Sequence, residues 1–135
     1  MTPEDLAALY ARAFPGSRPW SPDEVTQLTA APGFVVTLDA GFALGRAVAG
    51  EAELITIAVD PSARRRGLGR ALLAAFEARA RVLAAETAFL EVAEDNAAAL
   101  GLYRATGWTE TGRRSGYYKR TTGPVDAVTM TRTFT

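Results

Sequence analysis

Hydrophobic positions along the 135 residues change their period several times, and each change marks an element. Leu6, Leu9, Tyr10 and Phe14 recur at helical spacing in "PEDLAALYARAF", behind Thr2 as a cap, a first-turn proline and two acids. A helix is expected there. "FPGSRPW" breaks it, and Ser21-Pro22-Asp23-Glu24 carries the capping-box signature of a short second helix reaching about Thr29. Then the period drops to two. "FVVTLD", "GFALGRAVA" and "EAELITIAV" are β-branched or alternating runs, separated by Asp39-Ala40-Gly41 and by Gly50-Glu51. They predict an antiparallel meander in which Ile55, Ile57 and Val59 share one face.

From Gly69 the helical period returns. Leu68, Leu72, Phe76 and Leu83 line one side of a helix running to about Ala85, and "TAFLEVA" follows as a short strand. Asp95-Asn96 can cap a further helix over "AAALGLYRAT", which stops at Gly107. Trp108 to Tyr118 and Val125 to Phe134 read as a closing hairpin joined by "KRTTGP". The order α α β β β α β α β β predicts an α/β fold of the α+β kind, a mixed sheet with helices on its faces. No repeat, low-complexity tract or linker divides the chain, so residues 1–135 are expected to form a single domain.

Composition narrows the chemistry. Hydrophobic types make up 48% of the chain, enough apolar material for the core of one domain. The 15 basic residues balance 15 acidic ones, so a global attraction for nucleic acid is not available and no direct nucleic-acid binding is expected. Any anion site must be local. No apolar stretch approaches the roughly 20 residues of a membrane span, and "MTPEDLAALYARAF" carries acids where a secretory signal carries bases, so no membrane partner and a cytoplasmic location are expected. The chain has no cysteine and no histidine. Disulfides, thiolate nucleophiles, cysteine zinc sites and thiol-linked enzyme intermediates are thereby excluded, and no metal is implied. Proton transfer near neutral pH must fall to Asp, Glu, Tyr, Lys, water or the substrate itself.

One stretch concentrates charge and glycine. "AVDPSARRRGLGRALLAAF" places Arg64, Arg65, Arg66 and Arg70 around Gly67 and Gly69, between a strand ending at Val59 and the start of a helix. Such a junction exposes unpaired backbone N–H groups at the positive end of a helix dipole, and glycine allows a ligand to approach the backbone closely. It is an anion cradle, to which the arginines add charge-assisted contacts. The ATP-type loop would need a Gly-Lys-Ser/Thr ending, and the dinucleotide loop a third glycine where Leu72 stands. The alternative is a solvated basic turn with a glycine-assisted helix start.

Arg64-Arg65-Arg66-Gly67-Leu68-Gly69, after "ITIAVDP" and before a helix, resembles the Arg/Gln-x-x-Gly-x-Gly/Ala signature of the GCN5-related N-acetyltransferase (GNAT) family. "LEVAEDNAAALGLYRATGW" is similar to that family's second conserved region, and the resemblance covers essentially the whole chain from Thr2. It implies acetyl-coenzyme A as co-substrate, held by Arg64, Arg65, Arg66, Gly67, Leu68, Gly69 and Arg70 at the pyrophosphate. The main chain of Ile57, Ala58 and Val59, with Asn96 and Tyr103, would line the pantetheine arm. It also implies a mixed, mostly antiparallel central sheet flanked by helices. The family usually starts with a strand before the first helix, and that edge strand is expected to be missing here.

Within the family, "AFPGSRPWSPDEV" and "GRRSGYYKRTTGPVDAVTM" are similar to segments of bacterial enzymes that acetylate the N-terminal alanine of a small-subunit ribosomal protein. That resemblance implies direct attack by the amine in a ternary complex, with Glu91 as general base and Tyr103 as donor to the leaving thiolate. Trp20, Tyr117 and Tyr118 would form an acceptor wall. The partner would be a protein N-terminus, and the enzyme a monomer or weak dimer. Read without the resemblance, Glu91 is a strand glutamate facing solvent or an arginine, Tyr103 a helix–core residue, Asn96 a helix cap, and the three aromatics a small core patch. Arg113, Arg114, Lys119 and Arg120 read as an exposed charged hairpin. Two rival functions remain open: acetylation of a free small amine or a lysine side chain, and a non-catalytic coenzyme A-binding or interaction module.

Overall fold

Two capping boxes start the chain. In the computed structural model, which describes residues 1–134, helix α1 (Pro3–Ala13) is closed by Thr2, whose hydroxyl accepts from the Asp5 N–H at 3.1 Å while the Asp5 carboxylate accepts from the Thr2 N–H at 2.9 Å. Ser21 and Glu24 repeat the exchange ahead of α2 (Pro22–Thr29). Arg18 also donates to both Glu24 oxygens, at 3.0 and 2.8 Å, and with the Ser21 N–H it holds that carboxyl down at about 2.

Strands β1 (Gly33–Leu38), β2 (Gly41–Val48) and β3 (Glu51–Val59) form the expected meander. A 3-10 turn (Pro61–Ala63) leads to α3 (Leu68–Val82), then β4 (Thr87–Ala93), α4 (Ala97–Ala105), β5 (Thr109–Arg120) and β6 (Gly123–Thr133). The six strands lie in the order β1-β2-β3-β4-β6-β5, every pair antiparallel except β3 with β4. β1, which follows α2 in the chain, forms one edge of the sheet and β5 the other. The closing turn is tighter than "KRTTGP" suggested, because Lys119, Arg120, Gly123 and Pro124 all pair as strand residues.

Each face of the sheet has its own core. On one side α3 packs Leu72, Leu73, Phe76 and Ala80 against Ala43, Leu54, Leu90, Val128 and Met130. Phe76 is fully buried and stacks on Phe34 with ring centroids 5.6 Å apart, a side chain whose burial contributes about 1.5–3 kcal/mol. On the other side α1 and α2 bring Leu6, Leu9, Ala13 and Val25 onto Phe42, Leu44 and Ala58. These two helices pack principally on β1, β2 and β3, which leaves β4, β6 and β5 open on that face.

Two expected faces are revised by this packing. Ile55 does not share a face with Ile57 and Val59: Gly45 pairs with Leu54 and Leu44 with Thr56, so Ile55 is the extra residue of a β-bulge and is 36% exposed. Leu83 lies beyond the end of α3 at Val82 and is 40% exposed, so Leu73 and Ala80 complete the buried stripe instead.

The parallel junction sets up everything that follows. β3 and β4 pair only at Glu51 with Thr87, Ala52 with Ala88 and Glu53 with Phe89. Beyond those three pairs the strands separate, and the bulge at Ile55 bends β3 where the parting begins. The carboxyl-terminal halves of two central strands therefore face each other across a gap without a ladder between them.

Candidate active site

Gly67 sits at φ +73°, a left-handed conformation that L side chains rarely adopt, and opens α3 without any side-chain cap. The first-turn N–H groups of a helix have no partner within it, and here no capping oxygen takes them. Gly67, Leu68 and Gly69 line a cleft of about 520 Å³. Ile57, Val59, Leu68 and Leu102 supply its apolar wall, and Arg64, Arg65, Gly67 and Gly69 supply its charged end. An elongated molecule with a phosphate at one end and an amide-bearing chain at the other matches this division of polarity.

The structure distinguishes among the residues of the cradle. Arg64 lines the cleft and donates through Nη2 to the Ala13 carbonyl at 2.9 Å, tying the cradle to the end of α1. Arg65, at φ +66°, also lines it. Arg66 turns back to the Ser62 carbonyl at 3.4 Å. Arg70 lies in a separate hollow with Glu77, Trp108 and Arg132. Ile57 and Val59 present side chains to the cleft, whereas the Ala58 side chain is buried on the opposite face under α1. Ala58 offers the cleft only its main chain.

Below the cradle, Asp60 accepts from the Ser62 N–H at 3.0 Å and from its hydroxyl at 2.8 Å, and pairs with Arg12 at 2.9 Å. These contacts, the Ser62 N–H foremost, hold its carboxyl down at about 2. Ala13 and Phe14 line the cleft at the end of α1. Sequence reasoning missed both, because the Arg12–Asp60 and Arg64–Ala13 contacts join residues about fifty positions apart and leave no local signal.

On α4, Asn96 and Tyr103 come to the cleft together. The Asn96 side-chain oxygen accepts from the Ala99 N–H at 3.1 Å, so the residue caps α4 and lines the cleft at once. Tyr103 packs on the α3 core and meets Trp108 at 6.0 Å. Burial pushes its hydroxyl up to about 12, so it stays protonated throughout the physiological range.

Glu91 looks the other way. Its neighbours Leu90 and Val92 point into the α3 core, so strand alternation turns Glu91 toward the face that α1 and α2 leave open. There it pairs with Arg114 at 2.8 Å, Nε to Oε2. Arg114 is opposite Ala127 on β6 and Glu91 opposite Thr129, which places both on one face. Between Arg114 and Tyr118 the β5 register slips, and the bulge is pinned by the Gly116 N–H donating to Asp126 Oδ1 at 2.9 Å. Tyr117 is thereby brought under the Arg114 guanidinium at 5.2 Å and meets Tyr118 edge-on at 5.1 Å. Burial, and then the Glu91 charge, raise the Tyr118 hydroxyl above its ordinary value.

Trp20 is placed differently from the other two aromatics. It stacks on Tyr10 at 3.6 Å with an interplanar angle of 8°, and no ring contact among the described residues joins it to Tyr117 or Tyr118. The cations of the closing hairpin are engaged within the chain: Arg113 with Glu94, Glu110 and Asp126, Arg120 with Asp95, and Lys119 with the Gly116 carbonyl.

The Arg/Gly signature thus lies at an uncapped helix start after a central strand, and the structure adds a gap where that strand leaves its parallel neighbour. A family model described as the acetyltransferase (GNAT) family matches residues 4–108. The chain belongs to the GNAT family. Among curated GNAT relatives, the [ribosomal protein bS18]-alanine N-acetyltransferase of Escherichia coli (strain K12) is 44% identical over 91 residues, covering 67% of this chain and 62% of that protein. The N-alpha-acetyltransferase RimI of Mycobacterium tuberculosis is 40% identical over 136 residues, 93% of this chain and 83% of the relative. The crystal structure of the ribosomal-protein-S18-alanine N-acetyltransferase from Escherichia coli superposes with a TM-score of 0.85 at 34% identity, covering 97% of this chain and 86% of that one. The expected fold, a mixed and mostly antiparallel sheet with flanking helices, is that of these GNAT structures. Among the described residues, no helix is long and apolar enough to cross a membrane.

Proposed function

We propose that residues 1–135 work as one catalytic domain that transfers acetyl from acetyl-coenzyme A to the α-amine of an N-terminal alanine on a ribosomal protein, in the cytoplasm. One observation supports the reading: β3 and β4 part beyond Glu53 and Phe89, with a cleft that suits the coenzyme on one face and Glu91, two residues past the last pair, turned to the other. The relatives named for acetylating the alanine of ribosomal protein S18 support the choice of acceptor.

Acetyl-coenzyme A supplies an acetyl group activated as a thioester. The uncapped N–H groups at Gly67 to Gly69, with Arg64 and Arg65, hold its phosphates; Arg66 and Arg70 stand behind as additional positive charge. The main chain of Ile57, Ala58 and Val59, freed from any ladder to β4, pairs with the pantetheine amides, and one of its N–H groups polarises the thioester carbonyl. Asn96 donates to the same arm.

The acceptor enters from the open face, between Tyr117, Tyr118 and the α1–α2 segment that carries Trp20. Glu91 takes the proton of the amine, directly or through water, and the amine nitrogen forms its bond to the acetyl carbon as the carbon–sulfur bond breaks. Tyr103, whose hydroxyl burial pushes up to about 12 and so keeps protonated at neutral pH, donates to the departing sulfur. An α-amine, with a pKa near 7.7–8 against about 10.4 for lysine, asks little of the base.

Thiol release from acetyl-coenzyme A tests this. Three acceptors are compared: a peptide with a free N-terminal alanine, the same peptide blocked at its N-terminus but carrying an internal lysine, and a mixture of free amines. Turnover with the first is expected to exceed that with either of the others many-fold in kcat/KM. Preference for either of the others would replace the acceptor, and coenzyme binding without turnover on any would replace catalysis by binding.

A further inference from the structure

Glu91 is not an isolated carboxylate. Arg114 holds Oε2 at 2.8 Å, rests on the Tyr117 ring at 5.2 Å, and is kept there by the bulge that Asp126 pins at Gly116. A general base that need only accept a proton gains nothing obvious from a guanidinium in contact with it. The pair is also open to the acceptor side, with Arg114 61% and Glu91 28% exposed.

Resting on the acetyltransferase reading above, we propose that Arg114 is a specificity-determining residue, which acts through Glu91 to favour an α-amine over a lysine amine. The physical difference between the two acceptors is the charge on arrival. At neutral pH about a tenth of α-amines are already neutral, whereas for lysine the fraction is below about one in a thousand. An unaccompanied Glu91 would attract any ammonium, and lysine peptides would gain most. Paired with Arg114, the carboxylate presents a locally neutral dipole, so a cation meets repulsion from the guanidinium along with attraction from the acid. A neutral amine meets no such repulsion and can donate to Oε1, which Arg114 does not take among the described residues. Arg114 touches neither coenzyme nor reacting atoms in this scheme; it is a positioning residue whose charge sorts acceptors.

Arg114→Gln and Arg114→Lys are compared with the parent chain by kcat and KM for the free N-terminal peptide and for its blocked, lysine-bearing counterpart. Arg114→Gln is expected to lower the ratio of kcat/KM for the two peptides by about three- to fivefold, the effect of a half-exposed charge, mostly through a lower KM for the lysine peptide. Arg114→Lys keeps the charge and is expected to restore the ratio. Equal losses on both peptides in Arg114→Gln, or a ratio that lysine does not restore, would overturn the proposal while leaving the acetyltransferase reading intact. Absence of parent turnover on both peptides, with coenzyme bound, would overturn both.

Discussion

Glu91 and Tyr103 stand on opposite faces of one sheet: Glu91 lies on β4 beyond its last pair with β3, and Tyr103 lines the cleft that Ile57 and Val59 of β3 also line. Tyr103 packs on the α3 core, while Glu91 alternates with the two residues that enter that core and so faces away from it. The two groups proposed as base and acid are thus separated by the thickness of a sheet.

That separation predicts independent losses. Glu91→Gln and Tyr103→Phe should each lower kcat by about 10²-fold or more, the range for a positioned acid or base, while both bind coenzyme A with parent affinity by calorimetry. A variant of Tyr103 with unchanged turnover would remove that residue from the donor role.

Tyr103 also gives a pH signature of stability. Its folded hydroxyl ionises at about 12 and an unfolded tyrosine at about 10, so its contribution is complete below pH 10 and is lost as pH rises toward 12. Denaturant unfolding of the parent should weaken across that window. The Tyr103→Phe variant should show a shallower decline, its other tyrosines remaining.

Gly67 and Gly50 make a matched pair. Both have positive φ, +73° and +82°, and a Cβ at either would touch nothing within 4 Å. Replacement by alanine should cost each about 1 kcal/mol of stability through backbone strain. Only Gly67→Ala should weaken coenzyme A binding, by about tenfold, because its methyl group enters the space the phosphates use. Equal affinities in the two variants would exclude Gly67 from the cradle.

The aromatics proposed for the acceptor wall divide in the same way. Trp20→Ala removes the ring stacked on Tyr10 and should lower unfolding stability by about 1–2 kcal/mol. Tyr117, half exposed on the open face, should leave stability within about 0.5 kcal/mol when changed to alanine and should raise KM for the peptide instead. Thermal melts beside peptide kinetics separate the two.

What could be read from the chain and what could not follow a physical line. Caps at Thr2 and Ser21, the helix stop before Gly107 at φ +96°, and the strand over Thr87 to Ala93 are local, and the sequence pattern located them. Charge and glycine marked the cradle for the same reason. The bulge at Ile55 escaped notice because strand alternation assumes two matched partners, and a bulge is defined by a partner that is one residue short. In the sequence Arg114 reads as one of the exposed hairpin cations, because its link to Glu91 crosses β6, a neighbour that only the folded strand order reveals.

Only three residue pairs join β3 to β4, although β4 is paired along the whole of its other edge and β3 everywhere but at the Ile55 bulge. The sheet is mechanically two panels, β1–β3 and β4–β6–β5, sharing a short seam at one end. A coenzyme arm hydrogen-bonded along the free edge of β3 would extend that seam with non-protein atoms. Catalytic turnover would then alternately stiffen and loosen the scaffold itself. Backbone amide exchange at residues 55–59 would record that alternation.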